Sequence, residues 1–143
     1  MTTNHGNVAI FLFDSVKYFR FLIGLRYYKK GEWKKILWTT PGGGRGPNED
    51  PHSAIRRETD EEVGITEIRD LRLIDRITSA CGTSYTDLFV AYTPQQCTNR
   101  EPDKFLGWAW VTPEIAEKEL IQPPFINPIS LEKLKQFLRF IQA

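Results

Sequence analysis

Cysteine, histidine and methionine are scarce in this chain, with two, two and one respectively among 143 residues. Two thiols, Cys81 and Cys97, are too few for a disulfide framework. Neither sits in a CxxC or Cys/His spacing that would suit a structural metal. Both are expected to be reduced thiols in a cytoplasmic protein. An excess of either charge is missing too. The 19 basic and 18 acidic residues leave a net charge of +1, which excludes bulk attraction to nucleic acid or an anionic membrane. Long apolar runs are also lacking: Asp14, Lys17 and Arg20 interrupt MTTNHGNVAIFLFDSVKYFRFLIG, so no stretch nears the ~20 residues of a membrane span. A basic start and a small-residue cleavage site are absent, so no signal peptide is expected.

What remains is ordinary globular material, 41% apolar and 26% charged, in a chain long enough to bury a core as one domain covering residues 1–143. Asn7–Asp14, Tyr18–Tyr28 and Trp33–Trp38 read as strands from their apolar, β-branched and aromatic content, with Lys29–Glu32 as a turn. Further strands are expected at Leu71–Thr78, Thr86–Tyr92 and Gly107–Thr112, with Trp108 and Trp110 on one face. Thr112–Pro113 opens a short helix. Pro123, Pro124 and Pro128 then make an irregular connection to an amphipathic helix over Ser130–Ile141, with Leu131, Leu134, Phe137, Leu138 and Ile141 on its stripe. Strands with few helices predict an α/β (α+β) fold with a mixed sheet flanked by helices.

The stretch PGGGRGPNEDPHSAIRRETDEEVGI, Pro41 to Ile65, carries the chemistry. It reads as a glycine loop followed by a helix from about Pro51 to Val63. Asp50 is the N-cap, Pro51 the first helical residue and Gly64 the stop. Within that helix Glu58, Glu61 and Glu62 fall in an arc of roughly 100°. Three like charges there repel one another, whereas a hard divalent cation with oxygen ligands reverses the sign of the interaction. Arg57 is placed to reach Glu61 or Glu49 and hold the carboxylates. A Gly42 or Gly43 carbonyl is a further candidate metal ligand, since glycine lets backbone approach closely. The same letters fail as a P-loop, which needs GK[ST] where Gly46–Pro47–Asn48 stands. They also fail as GxGxxG, because Pro47 follows Gly44 by three.

Gly43, five residues, Glu49, seven residues, then Arg57–Ile65 as RETDEEVGI resembles the Nudix box, GX5EX7REUXEEXGU, at every fixed position. Thr59 departs softly from the bulky aliphatic usual at the U position. LIGLRYYKKGEWKKILWTTPGGG and TNREPDKFLGWAWVTPEI are similar to segments of the branch that hydrolyses nucleoside triphosphates. The resemblance thus covers roughly residues 7 to 120. It implies a Nudix α/β/α sandwich and hydrolysis of a nucleoside diphosphate linked to another moiety, with Mg²⁺ as cofactor and Mn²⁺ an acceptable substitute. It further implies Glu58, Glu61 and Glu62 as metal ligands, with one of the box glutamates activating water and Arg57 among the catalytic residues. An acidic residue from a later loop often joins, Glu101 being the first choice and Asp103 the second. Substrate contacts are assigned to Arg26, Gly43, Gly44 and Tyr85, while Gly43, Glu49 and Gly64 shape the box. Phe19, Tyr27, Tyr28, Trp33 and Trp38 are further aromatics able to stack a base, most of them expected in the core. His5 and His52 read as surface residues.

The implied partner is a small-molecule nucleotide. Family members are often dimers, which leaves a homodimer open. A nucleoside triphosphate giving a monophosphate and pyrophosphate, in nucleotide-pool house-cleaning, is the first substrate reading. A diadenosine polyphosphate is the second, suggested by Trp38–Thr39–Thr40–Pro41, although Gly42 stands where those enzymes tend to have lysine. A silent nucleotide-binding domain is the third, and the retention of every box carboxylate argues against it.

Overall fold

The structure is a computed structural model that describes residues 6–79, 82–119 and 128–142. His5, Cys81 and most of the proline-bearing connection lie outside the described residues. In chain order the elements are β1 (Asn7–Phe13), β2 (Phe21–Lys30), β3 (Trp33–Thr39), β4 (Gly42–Gly44), α1 (Pro51–Val63), β5 (Arg69–Thr78), β6 (Tyr85–Tyr92), β7 (Phe105–Val111), α2 (Pro113–Glu119) and α3 (Pro128–Gln142). Among the described residues the strands form one mixed sheet in the order β3-β2-β1-β6-β5, with β4 paired to β1 and β7 to β2. Only β1 and β6 run parallel, from Asn7↔Thr86 to Phe13↔Tyr92.

NVAIFLF is apolar at successive positions because both faces of β1 are covered. Val8, Ile10 and Leu12 face a core built with Ala54, Ile55 and Val63 of α1, against which Trp108 and Trp110 also pack. Phe11 and Phe13 face the other core, with Phe21, Leu88, Val90, Ala116 of α2 and Leu131 and Leu134 of α3. The rings of Phe11 and Phe21 meet edge to face at 5.0 Å, the arrangement their quadrupoles favour. The result is helix, sheet, helix. Of the stripe foreseen on the last helix, Leu131 and Leu134 are closed off, Phe137 and Leu138 pack partly against the same cluster, and Ile141 stays outside it.

One element departs from expectation. Gly42–Gly44 is a short strand rather than a loop, antiparallel to β1 with Val8 opposite Gly43. A Cβ on Gly42 would lie 2.1 Å from the Val8 carbonyl oxygen, so only glycine admits this pairing. Helix α1 begins and ends as its caps dictate. Asp50 accepts the Ser53 N–H at 2.9 Å, and Gly64, with φ 68°, donates to the Asp60 carbonyl at 3.0 Å. Thr59, the soft departure in the box, is fully buried, and its hydroxyl donates to the Ile55 carbonyl at 2.6 Å. The pairing of β4 with β1 sets the glycines beside the carboxylate face of α1.

Leu134 contributes apolar area to the closure of α3 over the sheet. Leu134→Ala is expected to lower unfolding free energy by about 2–4 kcal/mol in urea titrations, with an unchanged dependence on denaturant.

Candidate active site

Arg57 organises the carboxylates. Its Nε and Nη2 donate to Glu49 at 2.8 and 3.0 Å, its Nη1 to Glu58 at 3.0 Å and Glu61 at 3.2 Å, and its Nη2 also to the Gly44 carbonyl at 3.0 Å. Glu49 in turn accepts the Gly46 N–H at 3.0 Å. The guanidinium bonds first, with the Gly46 N–H second, hold the Glu49 carboxyl down at about 2. The same Glu49 pairing, helped by Glu58, pushes Arg57 above its usual value. Both sides of this ion pair are therefore charged at any working pH.

The three box glutamates on α1 differ in exposure. Glu61 has half its side chain in solvent, Glu58 is largely covered, and Glu62 as a residue is 6% exposed. Burial pushes the Glu62 carboxyl up to about 8. Glu58 and Glu101 add to the shift, while the Gly42 N–H, which donates to Oε1 at 3.0 Å, and Arg26 oppose it. Burial likewise raises Glu58, opposed by Arg57 and reinforced by Glu61 and Glu101. Buried carboxyls whose charge is further opposed by neighbouring acids favour an added cation.

These side chains line one cleft of about 580 Å³ together with Arg26, Tyr28, Thr39, Thr40, Lys104 and Phe105. Gly42, Gly43 and Gly44 form its wall beside β1. The Glu58 carboxyl lies so close to Gly43 that a Cβ there would stand 2.7 Å from its carbon. Glu101 lines the cleft, 3.3 Å from the Lys104 ammonium, whereas Asp103 lines a hollow beyond it. Gly64 caps α1 outside the cleft, its Cα facing Arg100.

Tyr85 is not among the residues that line this cleft, whereas Thr86, its neighbour on β6, is. The Tyr85 hydroxyl accepts from Arg45, and its ring lies 4.1 Å beneath the Arg76 guanidinium. The Gly42 N–H is engaged by Glu62, a contact that sequence reasoning did not foresee. His52 is exposed, with its ring edge on Phe89 at 4.9 Å. Missed at the sequence level were Lys104, Phe105, Thr86, Thr39 and Thr40 as lining residues. The i,i+3 spacing of Glu101 and Lys104 in a turn was the one signal available for Lys104. Phe105 supports Arg26, whose guanidinium lies 5.2 Å from that ring and 4.8 Å from Tyr28.

A NUDIX domain family model matches residues 3–130. The chain belongs to the NUDIX family. Its fold is shared with a MutT from work on Aliivibrio salmonicida and Vibrio cholerae (TM-score 0.71, 22% identity, 94% of this chain and 100% of that one). It is shared also with the E. coli dihydroneopterin triphosphate pyrophosphohydrolase (0.67, 17%, 100% and 99%) and a C. elegans Ap4A hydrolase (0.65, 20%, 95% and 98%). No curated protein sequence matches the chain. With every box carboxylate present, this NUDIX chain is a hydrolase.

NUDIX hydrolases generally use divalent metal ions, and the donor set can be tested for fit. Among the described residues no three His, Cys, Asp or Glu side chains converge as a ready-made cage. A hard cation that keeps waters and substrate oxygens in its shell needs only one or two carboxylates. Glu58 and Glu62, both raised chiefly by burial, supply them beside the Gly42–Gly44 backbone. The residues fit such an ion.

Two expectations follow from this geometry. In Gly43→Ala the new methyl displaces the Glu58 carboxyl from Arg57. Turnover on the best substrate is expected to fall about 100-fold or more, while a melting curve shifts by less than about 1 kcal/mol. The second concerns Glu62, whose folded value of about 8 exceeds the ordinary 4.5. Its protonated form is favoured in the folded state. That contribution is complete below pH 4.5 and is lost as pH rises toward 8. Glu62→Gln, which keeps an acceptor for Gly42, should stabilise the metal-free protein at pH 8 by on the order of 1–3 kcal/mol and leave it unchanged at pH 4, read by urea unfolding in chelator.

Proposed function

We propose that this NUDIX chain hydrolyses a pyrophosphate bond of a nucleoside triphosphate or related nucleoside diphosphate derivative in a Mg²⁺-dependent reaction. The products are a nucleoside monophosphate and pyrophosphate, and the role is nucleotide-pool house-cleaning. The observation that carries the reading is that one cleft holds both charges. The carboxylates of Glu58, Glu61, Glu62 and Glu101 line it together with the cations Arg26 and Lys104, the last paired to Glu101. A phosphate chain needs both, since its oxygens pair with the cations and its remaining charge requires a divalent ion held by acids.

Glu58, Glu61 and Glu62 would hold Mg²⁺, with Glu101 as the later-loop acid and Gly42 as a backbone neighbour. When bound, the ion offsets charge on the phosphate oxygens. The chain's own groups do the rest. Arg26, braced by Tyr28 and Phe105, and Lys104 orient the phosphates. Gly43 and Gly44 lie extended in β4 and leave the wall open to close approach. Glu58, held by Arg57 and with raised proton affinity, accepts a proton from the attacking water. The water oxygen bonds to phosphorus, the bridging P–O bond breaks, and its electron pair leaves with the departing phosphate.

The cleft-lining Thr39 and Thr40 belong to the Trp38–Pro41 segment that suggests a diadenosine polyphosphate substrate, so that reading stays second. Phosphate and pyrophosphate release from a nucleotide panel with Mg²⁺ tests both, with product identification. Glu58→Gln and Glu61→Gln are expected to lose roughly 10²–10⁴-fold in kcat and Glu101→Gln about ten-fold. Wild type as inert as Glu61→Gln on every nucleotide would defeat the proposal.

A further inference from the structure

The loop between β6 and β7 brings Glu101 and Lys104 to the cleft, and an earlier part of it is fastened to the last turn of α1. A helix leaves its last four carbonyls without partners in its own ladder. Here the Val63 carbonyl accepts the Thr98 N–H at 2.9 Å, and the Glu62 carbonyl accepts the Arg100 N–H at 3.1 Å. The Arg100 Nη1 donates to the Asp60 carbonyl at 3.2 Å and to Asp60 Oδ1 at 3.0 Å. Its stem lies over Gly64, where a Cβ would stand 3.1 Å from the Arg100 Cδ. Arg100 thus closes the end of the helix that carries the three box glutamates.

The next residue along the chain is Glu101. Its carbonyl accepts the Lys104 and Phe105 N–H groups at 2.9 Å each, and Asn99 Nδ2 donates to the Phe105 carbonyl at 2.8 Å, which closes the turn. The Lys104 carbonyl accepts the Tyr27 N–H at 2.8 Å and ties the far end of the turn to β2. From Glu62 to Glu101 the path is therefore one backbone hydrogen bond and one peptide link. The seat of Arg100 on α1 sets where the later acid stands relative to the buried one. Glu101 shares its cleft with three other carboxylates, and like charges drive a loosely held acid out toward water. Arg100 and Asp60 have side chains about half exposed, so their ion pair adds little to stability, and its consequence is placement. Asp60 stands at the unspecified position between Thr59 and Glu61 in the box, so this clasp belongs to the chain's own letters.

We propose that Arg100 is a positioning residue whose clasp on Asp60 holds the Glu101 carboxylate in the cation site. Arg100 acts through the adjoining residue, and its own side chain is spent on the helix end. The two backbone bonds from Thr98 and Arg100 hold the segment along its length, and the Arg100 side chain over Gly64 fixes its rotation. Without that side chain the loop stays attached while Glu101 gains freedom to turn toward solvent. This rests on the proposed metal-dependent reading for the role of Glu101, although binding of the ion can be followed without turnover.

The test titrates Mn²⁺ into nucleotide-free protein and counts the free ion by its EPR signal. Wild type is compared with Arg100→Ala, Arg100→Lys, Glu101→Gln and the double variant Arg100→Ala with Glu101→Gln. Arg100→Ala is expected to weaken Mn²⁺ binding about ten-fold, as Glu101→Gln does. The double variant should bind no more weakly than Glu101→Gln alone, since both changes remove the same contact. Arg100 reaches Asp60 through a single nitrogen, so Arg100→Lys should recover binding to within about three-fold of wild type. In chelator the melting temperatures of Arg100→Ala and wild type should agree within about 3 °C. Unchanged Mn²⁺ affinity in Arg100→Ala would overturn the assignment. So would a double variant weakened by the product of the single effects, about 100-fold, which marks independent roles. If the binding pattern holds and wild type cleaves no nucleotide, the reaction proposed above fails and the placement of Glu101 by Arg100 stands.

Discussion

The site depends on one guanidinium. Arg57 binds Glu49 in the loop, Glu58 and Glu61 on its own helix, and the backbone of Gly44 on the short strand. Those contacts join loop, helix and strand. Bidentate pairing to Glu49 fixes the plane of the fork, and its remaining donors then set where the other two carboxylates lie. A lysine, with a single point of charge, could not span four partners.

Arg57 does not reach every box carboxylate. Glu62 lies buried behind β4 with the Gly42 N–H as its bond partner, and its charge is opposed by burial and by neighbouring acids. In a folded protein such an arrangement costs stability unless a cation restores the balance. The glycines serve the same end. They let β4 pair tightly with β1 and leave room for the Glu58 carboxyl against Gly43.

Much of this was legible in the letters. Asp50, Pro51 and Gly64 bound the helix at the residues where it begins and ends, because caps act locally. The i, i+3, i+4 spacing put the three glutamates on one arc for the same reason. Less local matters were harder to read. The pairing of β4 requires β1, some thirty-five residues upstream, so a glycine run looked like a loop. The graded burial of Glu58, Glu61 and Glu62 depends on what packs over α1. Tyr85 was assigned to substrate on its residue type, and it is Thr86 that lines the cleft.

We propose that the carboxylates form a cation site whose buried member, Glu62, carries a proton until the ion arrives. The direct measurement is proton release when Mg²⁺ is added to the nucleotide-free protein at pH 7, followed in weak buffer by pH indicator or calorimetry. With Glu62 held at about 8, wild type should release close to one proton per ion bound, and Glu62→Gln should release almost none. Binding without proton release, or release unchanged in Glu62→Gln, would contradict the account.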